Sequence, residues 1–104
     1  MPELRCQAVR WIADEPFPGL IEVQFIDADG RTWSLVDKAA IFGAAEDLGP
    51  DSNYPVAVTV ACVLRGADEQ VGNDGGVTIS TSPDGVTSPD GRDTFTVTRD
   101  RIIR

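Results

Sequence analysis

Leu4, Cys6 and Ala8 alternate with Arg5 and Gln7, and the apolar parity then moves to Val9 and Trp11. A period of two marks a strand with one buried face. A change of parity inside such a strand predicts a bulge or a sharp bend. The first expected strand therefore covers residues 4–12, with a break near Val9. Two prolines and a glycine in Asp14-Glu15-Pro16-Phe17-Pro18-Gly19 predict a loop. Residues 20–27 and 31–37 read as the second and third strands, joined at Asp27-Ala28-Asp29-Gly30. A three-residue loop with Gly30 in the left-handed position pairs Asp27 with Arg31. That register opposes Phe25 with Trp33 and Val23 with Leu35, so one face is wholly apolar. The other face carries Glu22, Gln24, Thr32 and Ser34. A slip by one residue would mix the two faces.

Beyond residue 37 the pattern is weaker. Lys38 to Phe42 can continue the strand past a kink, while Ala44-Ala45-Glu46-Asp47-Leu48 has helical propensity ended by Gly49-Pro50. Residues 54–65 form the longest regular run. Val56, Val58, Val60, Cys62 and Leu64 share one parity, and Ala57, Thr59 and Ala61 share the other. Residues 66–76 read as a polar connection. Residues 77–81 and 94–98 are two further short strands, the second with Phe95 and Val97 inside. Between them Thr81-Ser82-Pro83-Asp84-Gly85-Val86 is echoed by Thr87-Ser88-Pro89-Asp90-Gly91-Arg92. Ser-Pro-Asp-Gly suits a tight turn, and the two copies are expected to form a mobile acidic arm. The expected architecture is all-β: a small antiparallel meander or half-closed barrel of about six strands, with at most one short helical turn.

The chain of 104 residues is expected to form a single domain over residues 1–104. Its net charge of −8, from 9 basic and 17 acidic residues, disfavours nucleic acid and anionic membranes as partners. The same charge is compatible with a basic protein partner. The first residues hold no long apolar run, so neither a signal peptide nor a span is expected, and a cytoplasmic location is the default. There the two cysteines, Cys6 and Cys62, are expected to be reduced, buried small hydrophobes rather than a disulfide.

Chemistry finds little to stand on. The chain has no histidine, which removes the commonest general base and metal ligand. There is no Cys-x-x-Cys, and neither a metal nor a cofactor is expected. Asp27-Ala28-Asp29-Gly30 begins like a calcium loop, but the twelfth position is Lys38 and the flanks are strands. Lys38 has no Ser-x-x-Lys partner, because position 35 is Leu35. Gly72-Asn73-Asp74-Gly75-Gly76 places an acid where a phosphate would lie. Asp14-Glu15 and Asp37 are the acids left for a carboxylate-only enzyme, and no catalytic residue is assigned. Trp11, Phe17 and Tyr54 fall at strand ends or in proline-rich loops and are the candidate partner-binding residues.

The set Trp11, Phe17-Pro18-Gly19, Asp27-Ala28-Asp29-Gly30-Arg31-Thr32-Trp33 and Asp37-Lys38 resembles a group of small uncharacterised bacterial β-proteins of similar length. The resemblance covers mainly the first 42 residues and implies no activity, cofactor or site. The leading functional expectation is a non-enzymatic acidic protein-interaction module, of the inhibitor or immunity kind. The alternatives are a small-molecule or peptide binder at a barrel mouth, and an enzyme working through carboxylates alone.

Overall fold

The hairpin at residues 27–31 closes as its sequence requires. The Asp27 N–H donates to the Arg31 carbonyl at 2.9 Å, and the Gly30 N–H donates to the Asp27 carbonyl at 3.0 Å. Gly30 has φ of +83°, which glycine adopts without a Cβ clash. The Asp27 carboxylate takes three donors: the N–H groups of Asp29 and Arg31, each at 2.9 Å, and the Trp33 indole at 2.8 Å. Desolvation opposes its charge, but these donors outweigh it and hold the carboxyl below its ordinary value. Phe25 pairs with Trp33 and Val23 with Leu35, the predicted register, and all four side chains are buried.

The structure, a computed structural model, describes residues 1–17, 19–44, 48–65 and 76–103. The described chain is all-β. Its strands are β1 (Glu3–Ala13), β2 (Leu20–Ile26), β3 (Thr32–Lys38), β4 (Gly43–Ala44) and β5 (Val56–Ala61), followed by β6 (Val63–Leu64), β7 (Gly76–Ser80), β8 (Thr94–Thr98) and β9 (Ile102–Ile103). One antiparallel sheet has the order β3-β2-β1-β5-β4, with β9 added to β1; the other has the order β6-β7-β8. The parity change near Val9 is a bulge: Ala8 pairs with Val23 and Arg10 with Glu22, leaving Val9 unmatched. A second shift lies between Trp11 and Ala13. The extra residue returns Trp11 to the core side, opposite buried Ile21.

Three aromatic rings join the two sheets. Phe95 of β8 meets Phe25 edge-on with centroids 5.0 Å apart, and Trp33 at 5.2 Å. The Ala28 N–H, at the tip of the β2–β3 hairpin, donates to the Thr96 carbonyl of β8 at 2.9 Å. The hairpin tip is thus fastened to the small sheet by packing and by a backbone hydrogen bond.

Several expectations are corrected. The large sheet does not close into a barrel; it lies open, with the small sheet packed on its apolar face. It is a meander only through β3-β2-β1, because β5 pairs with the far edge of β1. The single strand expected over residues 54–65 is two strands in different sheets, divided at Cys62, whose N–H donates to the Pro2 carbonyl at 3.0 Å. Parity alone does not show such a crossing, because Val58, Val60 and Cys62 stay on the buried side throughout. Single 3-10 turns occur at Ala39–Ile41, Ser82–Asp84 and Arg99–Arg101, where at most one helical turn was expected. The helical reading of residues 44–48 falls largely on residues 45–47, outside the described residues, as does the connection over 66–75.

The repeated Ser-Pro-Asp-Gly segment does not project as an arm. Thr81, Val86 and Ser88 are buried, and the Thr81 hydroxyl donates to the Val86 carbonyl at 2.7 Å. The second copy repeats the closure of the first hairpin: Ser88 N–H to Arg92 O at 2.9 Å, and Gly91 N–H to Ser88 O at 2.8 Å. Each such turn delivers an arginine onto Trp33. The Arg31 guanidinium carbon is 4.1 Å from the ring centroid and that of Arg92 is 4.8 Å away. Two guanidinium planes over one indole explain how Trp33 stays only 8% exposed at the edge of the sheet.

Truncating the bridging ring tests this account. Phe95 is fully buried, so Phe95→Ala should cost about 4 kcal/mol in urea denaturation, near the middle of the range for buried aromatic truncations. A loss below about 1 kcal/mol would show that the two sheets are held together by other contacts.

Candidate functional site

The pairing along one edge of β1 is interrupted. β5 occupies the other edge from Glu3 to Ala8. On the interrupted edge β2 pairs from Gln7 to Ala13, and β9 pairs at Glu3 and Leu4. Between them Arg5 and Cys6 meet no described strand on that side. At this end of β2 the hairpin tip is tied to the small sheet by the ring contacts and the Ala28–Thr96 hydrogen bond.

A cavity of about 410 Å³ opens at this split, on the face of the large sheet turned away from the small one. Arg5 and Arg101 line it with the amides of Gln7 and Gln24 and the hydroxyl-bearing Thr32; Ile26 and Ala57 add apolar surface. Arg101 belongs to the turn that leads into β9. A second hollow of about 550 Å³ shares Arg5, Cys6 and Ala57 with the first and continues over Thr59 to Gly43 and Ala44. Gly43 lies so close to β5 that a Cβ there would stand 2.7 Å from the Thr59 hydroxyl. The two hollows form one groove across the outer face.

Electrostatics separate this face from the rest of the surface. Among the described acids only Glu3, Glu22 and Asp37 stand in strands; the others lie in turns and connections. Glu22 is engaged by Arg10 at 2.5 Å and by the Ser34 hydroxyl at 2.8 Å. The Arg10 and Ser34 hydrogen bonds hold its carboxyl below the ordinary value, against a smaller desolvation effect. The Thr98 hydroxyl donates to Asp100, and with help from Arg101 and Arg5 it lowers that carboxyl too. The first hollow is therefore lined by guanidinium and carboxamide groups, whereas the second adds the carboxylate of Glu3 beside Arg5.

Cys6 touches both hollows but is only 6% exposed. Burial, with the nearby Cys62 thiol adding to it and Arg101 opposing, pushes its thiol up to about 12. Burial, then Glu3, raises Cys62 to about 11. Both are free thiols, inside the core as expected.

The residues singled out from sequence stand elsewhere. The Ala8–Val56 pair places Trp11 and Tyr54 beyond it, at one end of the sheet, and Phe17 sits in the loop at that same end. Trp11 is half-buried against the core; its indole donates to Asp14 at 2.8 Å, and a Cβ at Gly19 would strike its ring. The Tyr54 ring also packs on the core, and its hydroxyl donates to the Gly49 carbonyl at 2.7 Å. Phe17 is 85% exposed. Neither hollow of the groove is lined by these three residues. Asp14 and Glu15 are exposed, and Asp37 accepts the Lys38 N–H at 2.8 Å. Among the described residues no three His, Cys, Asp or Glu side chains gather as metal ligands, and no helix is long and apolar enough to cross a membrane. The polar parity of the first two strands marks Arg5, Gln7 and Gln24 as outward-facing, but nothing local signals that the sheet splits beside them. Comparison with known protein families, with curated proteins and with solved structures finds no match.

Two solution properties follow. A carboxyl lowered on folding stabilises the fold above its unfolded value and loses that contribution as pH falls through the folded value. Thermal stability should thus drop as pH falls below about 4.3, the ordinary glutamate value, and Glu22→Gln should flatten that drop. Stability that rises on acidification would contradict the assignment. Both thiols should resist alkylation at pH 8 in the native protein and react once it is denatured, because the thiolate is the reactive form. Labelling of the native protein at the unfolded rate would show that the core around β1 is open.

Proposed function

We propose that this protein is a non-enzymatic interaction module that docks a partner protein along the outer groove of its large sheet. One observation carries the reading: the split beside Arg5 and Cys6 forms a donor-lined hollow on a regular sheet face, and the second hollow extends it. A rigid sheet presenting a preformed groove suits recognition with little ordering cost. The donors Arg5, Arg101, Gln7 and Gln24 fit a segment of the partner that brings carboxylates or backbone carbonyls. The acidic turns at the ends of the sheet flank the groove and disfavour strongly anionic partners as a whole. A polar chain with an isolated acid fits better than nucleic acid or a uniformly acidic surface.

A second reading, a binder of a small carboxylate, is favoured by the size of the first hollow, since about 410 Å³ lies within the range of small-molecule sites. The carboxylate-only enzyme has the least support, because Asp14 and Glu15 are exposed and Asp14 is engaged by Trp11.

The test is affinity capture from the native cell extract with three baits: the unaltered protein, Ala57→Arg and Phe17→Ser. Ala57 is exposed and lines both hollows, so an arginine there fills the groove without entering the core. A stoichiometric partner held by the unaltered protein and Phe17→Ser but lost by Ala57→Arg is the expected result. Loss through Phe17→Ser alone would move the contact to the loop end. The absence of any stoichiometric partner would overturn the reading.

A further inference from the structure

β3 is the last strand of its sheet, and no described strand meets its outer side. Pairs in an antiparallel ladder alternate between hydrogen-bonded and non-hydrogen-bonded. The Asp27–Arg31 closure sets the phase, so Trp33, Leu35 and Asp37 turn their backbone groups toward β2. Thr32, Ser34 and Val36 turn theirs to the open side. Edges of this kind are commonly blunted by a proline, a bulge or a covering loop. β3 pairs with β2 without a register shift from Lys38 to Thr32 and contains no proline.

We propose that β3 pairs antiparallel with β3 of a second copy of the chain, about a two-fold axis at Ser34, to join two large sheets edge to edge. The strand is complementary to itself in this register. Thr32 faces the partner's Val36, and Ser34 faces the partner's Ser34, so the open backbone groups meet in phase. Arg31 then faces the partner's Asp37, and Asp37 faces the partner's Arg31. These are non-hydrogen-bonded pairs, in which opposed side chains stand closest. An axis at Thr32 would instead set Arg31 against the partner's Trp33. An axis at Val36 would set Asp37 against the partner's Leu35. The Ser34 axis is the one of the three that opposes unlike charges.

Geometry and exposure support the same register. Arg31 is exposed at the start of the strand, its guanidinium carbon 4.1 Å from the Trp33 ring centroid. The exposed apolar residues of the outer face include Val36, 37% exposed, and Ile26, 42% exposed. Ile26 is the cross-strand neighbour of Thr32, so pairing places the partner's Val36 in the row that begins with Ile26. The charge of −8 on each copy opposes association at long range. At physiological salt that repulsion is screened beyond about 8 Å, while opposed cross-strand pairs lie well within it. The assembly follows isologous two-fold symmetry, the commonest form of homodimer.

Light-scattering mass across a concentration series, at physiological salt, tests the proposal. The expected result is a mass that rises from monomer to dimer. Asp37→Arg and Arg31→Asp should each weaken dimerisation at least about tenfold, because two attractive pairs become repulsive. The double variant Arg31→Asp with Asp37→Arg should restore it, a recovery that a misfolded single variant could not produce. Ser34→Pro, which removes an outward N–H, should leave a folded monomer by circular dichroism. A chain that stays monomeric at every concentration overturns the proposal. So does a dimer indifferent to both single charge reversals, since another surface would then hold it.

Discussion

The contact of Phe95 with Phe25 and Trp33 is the constraint from which most of this structure follows. The apolar face of the large sheet needs a cover, and the small three-stranded sheet supplies it. The rings concentrate that contact at one corner, where the β2–β3 hairpin tip also bonds to β8 through Ala28 and Thr96. The ladder between β1 and β2 stops at Gln7, and the outer groove opens where it stops. The recess thus lies on the face opposite the packed core.

Polar side chains hold the corner in place. Asp27 closes its own turn and receives the Trp33 indole, so one carboxylate fixes both the hairpin and the ring that it carries. Arg31 and Arg92 reach Trp33 from two turns of the same hydrogen-bond pattern. Buried polar atoms elsewhere are also satisfied. Thr81 spends its hydroxyl on the Val86 carbonyl, and among the described residues no buried side-chain nitrogen or oxygen lacks a partner. Net charge is a poor guide to how charge is distributed over the surface. The described acids sit mostly in turns, whereas the first hollow presents guanidinium and amide groups.

Much of this was legible in the residues. Alternation identified which side chains of β1, β2, β3, β5 and β8 are buried, and the turn chemistry of Asp27 to Gly30 set the hairpin register. The parity change at Val9 announced a bulge that the pairing contains. These features are local: a period of two and a glycine at positive φ act within a few residues of themselves. Trp11 and Tyr54 were marked by residue type and by their place at strand ends or in loops, and both pack partly against the core. The groove residues Arg5, Gln7, Gln24 and Arg101 come from three separate segments, so no local motif gathers them.

The tertiary structure alone decided how the strands are shared out. Residues 54–65 keep one buried parity, yet they leave one sheet for the other at Cys62. The repeated Ser-Pro-Asp-Gly segment looks like solvent-facing turns, yet its Val86 enters the core. β9 is too short to have a pattern and exists because β1 offers it an unpaired edge. In each case the sequence determines which face of a segment avoids water. Which neighbour covers that face is a matter of long-range contact, because apolar burial has no direction and any complementary surface will serve.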